Sequence, residues 1–198
     1  MKLTKYLAII CMLLIGISGC KQDFVPKPRG YYNIDFPEKR YRLLADVACP
    51  YTFMIPNYAT IDRDTSFFHE RPEHPCWLNV KFKDYNATIF LSYKDIQGRN
   101  TLEKLVGDAF RLTFKHSIKA DFIDETYFEN KENNVFGFIY DVGGNAASSV
   151  QFFATDSMQH FVRGSLYFNC EPNADSLQPC VDFFRKDIQE LVNTIQWR

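Results

Sequence analysis

The chain lacks net charge of either sign: 23 lysines and arginines stand against 24 aspartates and glutamates, for a formal charge of −1. Nucleic acids and anionic lipid surfaces call for clustered positive charge, so this balance argues against both as partners. It also lacks an apolar run long enough to cross a bilayer, since Tyr6 to Ile17 falls short of the roughly 20 residues a spanning helix needs. There is no internal repeat and no low-complexity tract. The common signatures of chemistry are missing as well: no phosphate loop with its lysine, no G-x-S-x-G elbow and no H-E-x-x-H zinc helix. What the chain does have is aromatic mass, 16% of its residues with phenylalanine dominant, which suits strands around a large interior and also suits an interaction surface.

The first residues are built for export. Lys2 and Lys5 precede the short apolar run, and Ile17-Ser18-Gly19 lead into Cys20, a junction that resembles the lipobox of bacterial lipoproteins. The reading is a signal peptide over residues 1–19 and a lipidated Cys20 at the start of the mature chain. Each buried methylene contributes about 0.8 kcal/mol, so two or three acyl chains on one cysteine hold durably to a membrane without crossing it. The covalent lipid is the only non-protein group expected. Lys21, Gln22 and Asp23 give no strong sorting instruction, which leaves inner and outer membrane both open. Removing residues 1–19 takes away two lysines and no acid, moving the formal charge from −1 to −3.

Cys49, Cys76, Cys170 and Cys180 remain in the mature chain, and an even number in an oxidising compartment suggests disulfides with three possible pairings. Cys49 with Cys76 and Cys170 with Cys180 are the favoured pairs, with buried free thiols as the alternative.

Residues 20–45 read as the lipidated cysteine followed by an extended tether that becomes a docking segment. Pro26, Pro28 and Pro37 break any helix there, yet Tyr31, Tyr32, Ile34, Phe36 and Tyr41 are too apolar for a bare spacer. Residues 46–198 read as one α+β domain. Strand-like runs "YTFMI", "WLNVKF" and "TIFLSY" open it, the last two forming a hairpin around Lys83 to Ala87. A helix capped by Asn100 and Glu103 follows, with Leu102, Leu105, Val106, Ala109 and Leu112 at helical spacing. Strands are expected over 121–129, 134–142, 149–156 and 159–168, the last three as a meander. A closing helix carries Leu177, Val181, Phe184, Ile188, Leu191 and Ile195 on one stripe, with Asp175 as N-cap and Pro179 in the first turn. Cys180 beside that stripe could staple the helix to Cys170. The sum is an antiparallel sheet covered by two helices, an order that resembles the PsbP/Mog1-like α/β/α sandwich.

Two stretches invite chemistry. "HERPEHPC" gathers His69, His74 and Cys76, but histidines five apart and interrupted by Pro72 do not share one face of a helix, so no metal site is assigned. "DVGGNAASS" is glycine-rich without the lysine or helix start of a phosphate loop, and reads as a bend whose small residues allow close approach. No catalytic set can be assembled.

Three segments together carry a family likeness: the lipobox at Cys20, "PKPRGYYNIDFPEKRY" at 26–41, and "YDVGGNAASSVQFFATDSMQHFVRGSLYFNCEPNADSLQPCVDFFRKDI" at 140–188. They resemble the gliding motility-associated lipoprotein GldD family of the Bacteroidota. The resemblance implies an envelope lipoprotein required for gliding and associated with type IX secretion, with no enzymatic activity and no catalytic residues. It implies other envelope proteins of those systems as partners, the membrane touched only through the lipid, and a domain in the periplasm. Candidate partner contacts are Arg29, Tyr31, Tyr32, Phe36 and Tyr41 in the tether and Gly143, Gly144 and Asn145 in the glycine bend, because arginine and tyrosine combine contact area with hydrogen bonding. A binding module for a small ligand, peptide or peptidoglycan fragment is the alternative.

Overall fold

A computed structural model describes residues 33–44, 49–63 and 72–198, all within one compact unit. Alternation of apolar and polar residues builds the centre. β5 (Leu78–Phe82) and β6 (Ala87–Asp95) bury every second side chain. A 3-10 turn over Lys83–Tyr85 joins them, and Asn86 closes it at φ 49°, in the left-handed region that asparagine tolerates. The hairpin therefore forms where the turn residues put it.

Past the first helix come β7 (Ala120–Asn130), β8 (Val135–Gly144), β9 (Ser148–Thr155) and β10 (His160–Phe168). They make a four-stranded antiparallel meander, one strand more than the three expected, and β10 then returns to pair with β6 along its whole length. With β4 (Thr60–Arg63) on the edge, the sheet has seven strands in the order β4-β5-β6-β10-β9-β8-β7.

The register sorts the side chains onto two faces. One carries Val80, Ile89, Leu91, Tyr93, Val162, Leu166, Phe152 and Ile139. It packs against the closing helix, α2 (Ala174–Asn193), through Phe184, Ile188, Leu191 and Val192. The other face carries Phe153, Phe161 and Tyr140 beneath α1 (Leu102–Phe114), which adds only Leu105 and Ala109 to a much smaller cluster.

Both helix starts are displaced from their expected caps. Thr101, not Asn100, caps α1 by accepting a hydrogen bond from the Lys104 N–H, while Asn100 belongs to the preceding turn, its N–H tied to the Gln97 carbonyl. Asn173, not Asp175, caps α2, so Pro179 falls in the second turn rather than the first.

The "YTFMI" run does not join the main sheet. Phe53 interrupts it, and its halves β2 (Tyr51–Thr52) and β3 (Met54–Pro56) pair with β11 (Gln196–Trp197) and β1 (Tyr41–Leu43).

The cysteines pair only in part as expected. Cys49 and Cys76 are bonded, with Cα atoms 5.4 Å apart. Cys170 and Cys180 are free, which corrects the second proposed pair. Cys180 lies on the inward face of α2 within the core, and burial pushes its thiol pKa up, whereas Cys170 lies exposed just beyond β10.

Candidate functional site

Residues assigned from sequence to partner contact fall into three groups. Cys20, Arg29, Tyr31 and Tyr32 lie outside the described residues, as does His69. Phe36 and Tyr41 are spent on the protein's own domain. The Phe36 ring stacks on Phe183 of α2, 4.3 Å between centroids, and the Tyr41 hydroxyl donates to Asp187 Oδ1 at 2.8 Å.

Asp187 is 1% exposed and forms the centre of a clasp. Lys39 Nζ donates to its Oδ1 at 2.7 Å, Tyr58 donates to its Oδ2 at 2.7 Å, and Lys39 also donates to the Phe183 carbonyl at 3.0 Å. The ammonium sits 3.5 Å from the centroid of the Phe183 ring. Burial pulls the Lys39 pKa below its ordinary value against the raising effect of Asp187. Burial and the bond to Asp187 push both tyrosines well above the phenol range. Residues 33–44 thus pack on the domain through Phe36, Lys39 and Tyr41.

The glycine bend is also committed internally. Ala120 pairs with Gly144 and Ile123 with Val142, so Asp121 and Phe122 bulge opposite Gly143. A Cβ on Gly143 would strike the Phe122 ring at 2.1 Å, and Gly144 has φ +86°. Asn145 Oδ1 accepts from the Ala174 N–H at 2.9 Å, giving α2 a second cap from across the chain. The shallow hollow here, about 190 Å³, is bordered by Asp141 and Arg185, which already form a bidentate pair at 2.7 Å.

His74 accepts from the Cys76 N–H through Nδ1, with Nε2 3.9 Å from Asp95. Tyr93 joins Asp95 at 2.8 Å to His160 at 2.7 Å, and Trp197 stacks on the His160 ring. Among the described residues no three His, Cys, Asp or Glu are gathered as metal ligands.

The face under α1 differs in kind. Two rows cross it by register. One reads Ser92, Arg163, Phe153, Phe138, Tyr127, and the next reads Asn79, Phe90, Ser165, Gln151, Tyr140, Glu125. The helix lies over the middle of both rows, leaving a groove on each side. One groove, about 310 Å³, runs between α1 and strands β5, β6 and β10, with Trp77, Phe90, Leu112 and Arg163 among its walls. The other is bordered by Val106 and Phe110 of α1 and by Phe138 and Tyr140 of β8. Phe90 is 43%, Phe110 45% and Tyr127 54% exposed.

Arg163 Nη2 donates to Gln151 Oε1, which also accepts from Thr113 Oγ1 of α1 at 3.3 Å. Gln151 Nε2 and Ser165 Oγ are buried without a hydrogen-bond partner. Sequence reasoning passed over Arg163, Gln151 and Ser165. Their signal was a polar residue at alternate positions of the otherwise apolar strands "SVQFF" and "HFVRGSLYF".

An antiparallel seven-stranded sheet, closed by one helix and half-covered by another, makes this an α+β protein whose open face is its most distinctive surface. Among solved structures, the chain is similar to the solution structure of cyanobacterial PsbP (CyanoP) from Synechocystis sp. PCC 6803. That match has a TM-score of 0.48 and 11% identity, covering 82% of this chain and 95% of that one. It is also similar to the Ran-binding protein Mog1p of Saccharomyces cerevisiae, with a TM-score of 0.46 and 11% identity, covering 81% of this chain and 96% of that one. No curated protein matches. The chain belongs to the gliding motility lipoprotein GldD family, which matches residues 21–197.

Proposed function

We propose that this gliding motility lipoprotein works as an accessory or scaffold protein of the cell envelope, associated with type IX secretion and acting by binding another envelope protein rather than by catalysis. Cys20 carries the lipid, the lipid alone touches the membrane, and the domain stands in the periplasm. The observation that carries this reading is the open face. Phe110 and Leu112 of α1, Phe90 of β6 and Tyr127 of β7 are large, exposed and on the same side of the sheet, while the opposite face is closed by α2. Exposed aromatics of this kind suit a docking surface. Arg29, Tyr31 and Tyr32 stay candidate contacts beside it, whereas Phe36, Tyr41, Gly143, Gly144 and Asn145 already serve the fold.

The test is site-specific photocrosslinking in cells, with the reactive group at position 110 on the open face or at position 178 on α2. Capture of one stoichiometric gliding or secretion component from position 110 and not from 178 is expected. Equal capture from both positions, or from neither, would sink the docking assignment. A Cys20→Ala form that stayed membrane-bound and supported gliding would overturn the anchor.

The groove at Arg163 favours a second reading, a module that takes a small ligand, because it combines aromatic walls with a half-buried cation.

A further inference from the structure

We propose that the groove between α1 and strands β5, β6 and β10 binds a small carboxylate with an apolar body, its carboxylate seated on the Arg163 guanidinium. The inference deepens the small-ligand reading and rests on it, independently of any protein partner.

One charge in the groove has no counter-ion among the described residues. Arg163 stands mid-strand on β10, paired in register with Ser92 and Phe153, in a row that continues to Phe138. The residue is half-buried, and desolvation pulls its guanidinium below its ordinary pKa. The partner found for it is Gln151 Oε1, a neutral acceptor. A guanidinium has five N–H donors in a planar fork, so most of them are left for something else.

The other charges of the groove are already matched. Arg111 holds Asp108 at 2.8 Å on the rim, and Lys94 holds Glu73 at 2.7 Å. Among the described residues no carboxylate is paired with Arg163. Partial desolvation of a cation without a counter-ion carries a cost. A ligand carboxylate would remove that cost by taking the free edge of the fork in a bidentate pair.

Positioning is already in place. Thr113 of α1 and Arg163 of β10 meet on the same Gln151 oxygen, so the helix that forms one wall also fixes the cation on the floor. Gln151 is 1% and Ser165 2% exposed, and both keep an unpartnered polar atom in the neighbouring register row. The polarity under α1 is therefore more than packing requires.

The walls select the rest of the ligand. Trp77 and Phe90 on the sheet side and Leu112 on the helix side are apolar. A volume of about 310 Å³ sits at the lower end of small-molecule sites, which suits one ring or a short acyl chain.

The experiment uses the full-length lipidated protein in nanodiscs, with empty nanodiscs as blank. 4-Phenylbutyrate is titrated by ligand-observed saturation-transfer NMR beside its neutral amide, 4-phenylbutanamide. Saturable one-to-one binding of the acid is expected, with the amide and the Arg163→Gln variant about ten- to a hundredfold weaker and Arg163→Lys partly recovered. Leu112→Glu, at an exposed rim position, should also weaken the acid by placing a like charge at the groove. It decides the matter if circular dichroism shows that Arg163→Gln does not fold. Absence of saturable binding, equal binding of acid and amide, or unchanged affinity in the folded variants would overturn the proposal. Loss of capture at position 110 with intact phenylbutyrate binding would remove the docking surface and leave the groove; the reverse result would do the opposite.

Discussion

Toward α2, the sheet meets a helix whose stripe reaches across its strands, and Tyr93, Phe82, Phe152 and Phe184 disappear from solvent. Toward α1, the same strands meet a shorter helix that covers only the middle, and Phe90 and Tyr127 stay in water while an amide and a hydroxyl are drawn inside and a guanidinium is half-buried beside them. Polar groups exist on both sides, but they are treated differently. Asp187 on the α2 side receives Lys39, Tyr41 and Tyr58, whereas Gln151 Nε2 and Ser165 Oγ on the α1 side receive nothing. The contrast separates the face that holds the protein together from the face available for binding.

The largest effect that would break this contrast is a core truncation. Phe184→Ala should cost about 3 to 5 kcal/mol, because it empties a site between Phe82 and Phe168, while Phe110→Ala on the open face should cost less than about 1 kcal/mol. Urea midpoints of the two variants test this, and equal costs would dissolve the distinction.

Next comes the clasp. Asp187→Ala takes the carboxylate from a half-buried ammonium, which keeps the Phe183 carbonyl, and from two hydroxyls, and should cost about 2 to 3 kcal/mol. Hydrogen exchange should then rise in residues 33–44 before it rises in the sheet. Uniform loss of protection would show that the segment is not held by this carboxylate.

Reduction of Cys49–Cys76 releases a loop with a sequence separation of 27 and should remove about 3 to 4 kcal/mol by the chain-entropy account. Thermal melts with and without reductant measure it, and a mass shift on alkylation should count one bond in the described region.

Asp156 yields a smaller effect with a pH signature. Its Oδ1 accepts from the Met158, Gln159 and His160 N–H groups at 3.0, 2.9 and 2.8 Å. Burial alone would raise its pKa, but the three donors hold it below the usual carboxylate range. Because the folded value is the lower one, the stabilisation is complete above about pH 4, the ordinary aspartate pKa, and fades as pH falls through the folded value. Asp156→Ala should cost about 1 to 3 kcal/mol at pH 7 and clearly less near pH 2. A cost independent of pH would refute the carboxylate's role.

The smallest expected change has the opposite sign. Ser165→Ala removes a buried hydroxyl with no partner and should leave stability unchanged or raise it by up to about 1 kcal/mol. A marked loss would mean that the hydroxyl is satisfied and that the α1 face is less open than its geometry indicates.

Much of this fold was legible in particular residues. The stripe from Leu177 to Ile195 announced α2, and the alternation in "WLNVKF" and "TIFLSY" announced the central hairpin, because burial on one face imposes those periods. The fourth meander strand was missed as a pairing rather than as a strand, since nothing local in β7 says which neighbour it takes. The caps moved by one residue at α1 and two at α2, because Thr101 and Asn173 rather than Asn100 and Asp175 accept from the first-turn N–H groups. The free Cys170 and Cys180 were legible only as the alternative to a second pair, because connectivity is not written in spacing.

The candidate site was the least legible part. The tether aromatics and the glycine bend looked like contacts because they were conspicuous. The structure spends Phe36, Tyr41 and Asn145 on α2 instead. Arg163 and Gln151 looked like ordinary polar positions in strands, and their meaning depends on whether a helix covers them.

By itself the sequence determined the α+β element order, the amphipathic faces and the resemblance to a gliding lipoprotein family, all of which follow from local period, composition and motif. Only the tertiary structure decided that one face is sealed and the other half-open, and that Arg163 meets Gln151 rather than a carboxylate. Those outcomes depend on which residues meet from different strands and helices, contacts about which local propensity carries no information.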